Sequence, residues 1–240
     1  MFKHAGLPFL QLITELLNQC LIRQQIPKQW KDSRIFPISK KLSFDGDLSN
    51  TRLISLIEHV KKLYTKILTN RLNTILTKYN ILSPFNYIAL PDNSTNIPIN
   101  ILNNIIEDAT CNEKELWLLS QDTSKAYDSV NFDLFKLALQ RIQFPEPLIN
   151  ILSNLLLDQT NKVITNFGLT NSYQVQNGID QGETITPLFW CIYYDPLISK
   201  ISREVEGYQI STTWSENIRQ TKLNKIQTNT FVLAYMDDTL

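Results

Sequence analysis

Apolar positions along the chain alternate between helical and strand spacing, and the changes of spacing mark its elements. Residues 7–22 place Leu10, Ile13, Leu17 and Leu21 three and four apart, as on one face of a helix, and Pro27 closes the segment. Ser33 to Ser39 sets Ile35 and Ile38 around Phe36-Pro37. Proline cannot donate to a ladder, so the expectation is a short edge strand. Asp45-Gly46-Asp47 reads as a turn, and a second extended stretch begins at Ile54. From Leu56 to Lys78, the positions of Val60, Leu63, Ile67, Leu68, Leu72, Ile75 and Leu76 predict a long helix with Ser55 as its N-cap.

Residues 83–96 carry Pro84, Pro91 and several Asn and Ser, a loop composition. Ile97 to Ala109 is helical, with Pro98 in its first turn. Glu115 to Ser120, containing Leu116-Trp117-Leu118-Leu119, reads as a buried strand. Phe132 to Ile142, capped by Asn131, and Pro147 to Leu157 are two helices. Val163-Ile164 and Tyr173 to Val175 suggest a strand pair, and Thr184 to Ile201 a helix opened by Pro187. Phe231 to Tyr235 is a strand running into Asp237-Asp238. The irregular mixture, without internal repeats, predicts an α+β fold.

Composition narrows the field. The chain has 240 residues, 43% of them hydrophobic, enough for one or two packed domains. No apolar run reaches bilayer length, and Met1-Phe2-Lys3-His4 lacks a signal-peptide pattern, so an intracellular setting without membrane contact is expected. Cys20, Cys111 and Cys191 are far apart and predict three buried, reduced thiols rather than a zinc site. Net charge is zero, but residues 23–78 hold twelve Lys/Arg against four acids, while residues 79–240 hold ten against eighteen. A segment at +8 can hold phosphates, and one at −8 can hold metal ions.

Two acidic sites follow predicted buried strands: Asp122, and Asp237-Asp238. Carboxylates crowded at strand ends repel one another unless a cation neutralises them. Hard divalent ions prefer such oxygens and keep positions open for phosphate. A pair of ions can clamp the attacking and leaving oxygens of a phosphoryl transfer.

Tyr235-Met-Asp-Asp238 resembles the catalytic motif of reverse transcriptases. Three further blocks stand in that family's order. Asn50-Thr-Arg-Leu-Ile-Ser-Leu-Ile57 resembles its fingers motif, Asp122-Thr-Ser-Lys-Ala-Tyr-Asp128 its first metal-binding motif, and Asn177-Gly-Ile-Asp-Gln-Gly182, with Pro187 after it, its nucleotide-contacting motif. The match is nearest to non-LTR (LINE-type) retrotransposon enzymes, then to group II intron enzymes, and runs from about Trp30 onward. It departs at Leu53, where the family usually has Pro, at Thr186, where Ser is commoner, and at Phe85-Asn86-Tyr87, which lacks a basic residue.

The resemblance implies a right-hand polymerase fold with fingers and palm, the palm sheet packed on helices. It implies a lead-in at residues 1–30, fingers at 31–110, and a palm at 111–240 with an inserted fingers portion at about 130–181. It assigns metal binding and catalysis to Asp122, Asp237 and Asp238, around two Mg²⁺ ions with Mn²⁺ as an alternative. Tyr127 matches the aromatic gate against a ribose 2′-hydroxyl, Gln181 and Gly182 the neighbours of the incoming nucleotide, and Arg52 and Lys40 the holders of its triphosphate. The implied partners are an RNA template, a DNA or RNA primer and dNTPs, in nucleus or cytoplasm. Because Leu240 follows Asp238 by two residues, the expectation is a fragment truncated after the motif, without a thumb and with little activity alone. The competing readings are a non-catalytic nucleic-acid-binding remnant and an RNA-templated RNA polymerase.

Overall fold

The computed structural model describes residues 5–40, 46–47, 50–87, 95–214, 224–235 and 238–239. The chain divides into two units, Met1–Ile75 with Lys125–Tyr193, and Leu76–Ser124 with Tyr194–Leu240.

In the first unit the predicted helix near the N-terminus is α1 (Leu7–Arg23), with a proline in its first turn and Gln24 in the left-handed conformation at its end. Strands β1 (Asp32–Ser39) and β2 (Thr51–Leu56) form an antiparallel pair, with Ile35 opposite Ser55 and Ile38 opposite Arg52. β1 is not the edge strand expected from Pro37. It also pairs in parallel with β4 (Thr160–Thr165), but only over Asp32–Ile35. Pro37 lies beyond the last of these pairs, so its missing N–H costs the ladder nothing there. β5 (Gly168–Leu169) and β6 (Tyr173–Gln174) both pair antiparallel with β4 and complete a five-stranded mixed sheet.

Helix α4 (Phe132–Arg141) begins where expected: the Asn131 side chain accepts the backbone N–H groups of Asp133 and Leu134, both at 3.0 Å. It meets α5 (Glu146–Asn154), and a core of Phe135, Leu139, Ile149, Leu152 and Phe189 is almost fully buried. The Phe135 and Phe189 rings lie 4.8 Å apart.

The long helix α2 (His59–Lys78) starts three residues later than its apolar pattern suggests. Ser55 stays in β2, and the Glu58 carboxylate accepts the Val60 and Lys61 N–H groups at 2.8 and 3.0 Å. The buried stripe is also turned from the expected one. Lys61, Tyr64, Thr65, Leu68, Leu72 and Leu76 are buried, while Ile75 is exposed.

The second unit holds α3 (Asn96–Cys111), a three-stranded sheet and a hairpin. The sheet runs β3 (Gln121–Asp122), β10 (Asp238–Thr239), β9 (Ala234–Tyr235). The hairpin pairs β7 (Tyr208–Trp214) with β8 (Asn224–Thr230). Asp108 on α3 ties the hairpin down, accepting from Tyr208 and pairing with Lys114, both at 2.7 Å. Those contacts hold its carboxyl below the usual range, while desolvation first, and then the same carboxylate, pushes the Tyr208 phenol up to about 12.

The expected buried strand at 115–120 does not form. Trp117, Leu118 and Leu119 are exposed and line one side of an open pocket of about 450 Å³ with Ile105, Val205 and Val232, and the strand is reduced to the two residues of β3. A buried strand needs a layer on each face, and here one face borders that opening. Cys20 and Cys191 are buried thiols outside any disulfide, as expected, but Cys111, the last residue of α3, is exposed. Helix α6 (Thr186–Glu204) opens with Pro187 at its first turn and runs three residues past the predicted end. No helix among the described residues is long and apolar enough to cross a membrane.

Candidate active site

The short three-stranded sheet puts two of the predicted acids opposite each other. Asp238 on β10 is the antiparallel partner of Asp122 on β3, and on its other side of Tyr235 on β9. Directly opposed residues share a face of the sheet, with Cβ atoms roughly 4.5–5.5 Å apart. Two carboxylates so placed repel each other, and nothing in the pairing itself repays that. Both are exposed. An all-oxygen, solvent-facing donor pair fits a hard divalent ion, which retains water and leaves room for phosphate. Asp237 lies outside the described residues, and among those described no group of three or more His, Cys, Asp or Glu is gathered.

The sheet is anchored along β10 and β9. Thr239 is buried, and its hydroxyl shares a 3.2 Å hydrogen bond with that of Tyr194. Phe85 and Tyr87 bracket Ala234 through two backbone hydrogen bonds, and Asn86 forms a parallel bridge to it. The Phe85-Asn86-Tyr87 segment, which reads as an undistinguished loop, therefore extends the β9 edge of the sheet. The Phe85 and Phe231 rings meet edge-on at 5.5 Å.

In the other unit, Tyr127, Gln181 and Gly182 belong to one interlocked pair of loops. Tyr127 starts a 3-10 turn (Tyr127–Ser129) and is half-buried, its ring edge-on to that of Trp190 at 6.0 Å. The Tyr127 carbonyl accepts the Ile179 N–H at 2.9 Å, and the Val130 carbonyl accepts that of Gly178 at 2.8 Å. Gly178 has φ +97°, and a Cβ there would lie 3.1 Å from Asp128 Cα. Only glycine suits both the conformation and the approach. Gly178→Ala should therefore cost about 1–3 kcal/mol, read as a lowered urea midpoint with an unchanged slope.

The Gln181 carbonyl accepts the Ser55 N–H at 2.8 Å, which docks this loop on β2. An open polar pocket of about 340 Å³ adjoins the junction, lined by Leu53, Ser55, Asp128, Asn161, Asn177 and Gln181 among others. Arg52 and Lys40 are exposed near the far end of the β1–β2 pair. By strand alternation Arg52 faces away from Leu53 and Ser55 of that pocket and shares its face with Ile54, whose side chain would lie 3.7 Å from a Cβ on Gly182.

A buried ionic cluster went unread in the sequence. Lys61, 1% exposed, lies 3.1 Å from Glu183 and 3.7 Å from Asp180. Burial pushes the Glu183 carboxyl up, and Lys61 opposes that. The Ser55 hydroxyl donates to Asp180 at 2.8 Å. The available signal was Lys61 standing three, four and seven residues before Tyr64, Thr65 and Leu68, on the buried face of α2. Lys61 thereby leaves the set of cations free to meet phosphate, although it counts toward the +8 of that segment.

A small antiparallel sheet presenting opposed carboxylates, beside helices, with a mixed sheet in a separate unit, is the fold of a right-hand polymerase: fingers and palm. Solved structures support that class. Apo telomerase from Candida tropicalis truncated from its C-terminal domain aligns with 95% of this chain and 48% of its own, at TM-score 0.53 and 15% identity. Telomerase from the same organism in complex with a fragment of telomeric RNA aligns with 96% and 39%, at TM-score 0.55 and 13% identity.

The family model described as "Reverse transcriptase (RNA-dependent DNA polymerase)" matches residues 38–240, and the chain belongs to that family. Among curated proteins it is 27% identical over 187 residues to the probable RNA-directed DNA polymerase from transposon BS of Drosophila melanogaster, covering 76% of this chain and 20% of that one. It is 26% identical over 185 residues to the retrovirus-related Pol polyprotein from type-1 retrotransposable element R2 of Popillia japonica, covering 75% and 25%. The chain thus spans about a fifth to a quarter of the length of these relatives. One comes from a transposon and the other from a type-1 retrotransposable element, in keeping with the non-LTR resemblance of the motifs.

Proposed function

We propose that this chain is the nucleotide-adding part of an RNA-directed DNA polymerase of a non-LTR retrotransposon, extending a DNA or RNA primer with dNTPs on an RNA template, in nucleus or cytoplasm. The observation that carries the reading is the register that sets Asp238 against Asp122. Asp122, Asp237 and Asp238 are the residues that would hold two Mg²⁺ or Mn²⁺ ions. When bound, such ions supply Lewis-acid stabilisation of charge on the reacting phosphate and lower the pKa of the attacking hydroxyl.

The chain's own residues bind and orient. Gln181 and Gly182 flank the incoming nucleotide, and the absence of a side chain at Gly182 lets it approach. The Tyr127 ring excludes a 2′-hydroxyl, the one group that separates ribo- from deoxynucleotides. Arg52 offers a planar fork to paired phosphate oxygens, and Lys40 a point charge at the same end of the β1–β2 pair. Positioning and electrostatics provide most of the rate in phosphoryl transfer.

Primer extension with purified protein, dNTPs and Mg²⁺ or Mn²⁺ tests this. Extension on an RNA template, abolished by chelator, is the expected result. RNA binding without extension under either metal, even by the chain completed with a family thumb, would favour the non-catalytic remnant instead.

A further inference from the structure

The buried cluster of Lys61, Asp180 and Glu183 is a poor device for stability. Removing an ammonium and two carboxylates from water is costly, and well-packed neutral side chains often do as well or better. Its place in the sequence suggests a different purpose. Asp180 and Glu183 are the residues immediately before and after Gln181-Gly182, and one side chain from α2 reaches both, at 3.7 and 3.1 Å.

The same turn is held at further points. The Ser55 hydroxyl donates to Asp180 at 2.8 Å, the Ser55 N–H donates to the Gln181 carbonyl at 2.8 Å, and the Thr186 hydroxyl donates to the Asp180 carbonyl at 2.6 Å. Gly182 sits at φ +119°, and a Cβ there would lie 3.1 Å from the Ser55 carbonyl. β2, α2 and the start of α6 thus converge on two residues. The only charge among these fasteners comes from Lys61 and its two partners.

We propose that Lys61 is a positioning residue, acting through Asp180 and Glu183 to fix the Gln181–Gly182 turn against which the incoming nucleotide is placed. This rests on the polymerase reading for its consequence in catalysis. Charge serves here because Coulomb attraction draws both acids toward one ammonium, where apolar packing tolerates sliding. Lys61 itself stays out of contact with substrate, being 1% exposed.

Lys61→Met alone strands two buried acids, so it should lower Tm and raise the KM for dNTP. The informative variant is the triple Lys61→Met, Asp180→Asn, Glu183→Gln, in which the cluster is neutral and nothing is left unpaired in charge. Its Tm should return to within a few degrees of wild type, while its KM for dNTP stays raised roughly tenfold or more, since small misplacements carry large penalties. kcat at saturating dNTP should change less than KM. A triple variant that recovers Tm and KM together would reduce the cluster to ordinary packing and overturn the proposal.

A second readout does not depend on polymerisation. Hydrogen exchange at the Ser55 amide, the donor to Gln181, should quicken at least tenfold in the triple variant at matched Tm. Unchanged protection there would also overturn the proposal. If wild-type protein makes no DNA even when completed with a family thumb, the polymerase reading fails and the exchange measurement decides this inference by itself.

Discussion

Asp122→Asn should abolish primer extension without harming the fold. Asp122 is exposed and makes its structural contribution through the backbone of β3, which asparagine preserves. Its register partner is another carboxylate, so removing one charge relieves a like-charge pair rather than breaking a favourable one. Tm should stay level or rise slightly. Activity should fall by a factor on the order of 10²–10³ or more, the scale on which loss of one preorganised charge-stabilising group is felt. Calorimetry should show weakened uptake of Mg²⁺ or Mn²⁺ with nucleotide present. Asp237→Asn should match this loss, and Asp238→Asn should fall short of it, in keeping with the looser coordination its motif position implies. Extension by Asp122→Asn within a few-fold of wild type would remove the metal-binding role from this residue.

The order of elements was legible because most of them announce themselves locally. Asn131 caps α4 through a side-chain geometry that spacing alone reveals, and Pro187 opens α6 for the same reason. Errors arose where a partner distant in the chain decided the outcome. Pro37 reads as an edge signal, yet β4 arrives from residues 160–165 and pairs only where the proline is not. Ser55 has the chemistry of an N-cap, but it is consumed by Gln181 and Asp180, 125 or more residues away. The Leu116–Leu119 run has the composition of a buried strand and lacks the covering layer.

The candidate site divides the same way. Asp122, Asp237 and Asp238 could be found as residues, because a motif is contiguous. The register that opposes 122 to 238 is a property of strand pairing across 116 positions and had to be seen. Lys61 was hidden by the ordinary expectation that lysine is solvated.

Tyr127 gives the test in which catalysis and folding separate most cleanly. Its ring is held edge-on by Trp190, itself 1% exposed, and its backbone carbonyl by Ile179, so its position is set by groups that remain when the ring is cut away. Tyr127→Ala should lose about 1–2 kcal/mol of stability, less than a fully buried aromatic would. It should also raise ribonucleotide use relative to deoxynucleotide use by roughly 10²-fold, the upper range for discrimination by pocket size alone. The ratio of the two kcat/KM values is measured within one preparation, so any loss of folded protein cancels from it. Tyr127→Phe keeps the ring and should keep the discrimination, because exclusion depends on the ring's bulk and not on the phenol. A ratio unmoved in Tyr127→Ala would make Tyr127 a core residue and reopen the choice between DNA and RNA as the product.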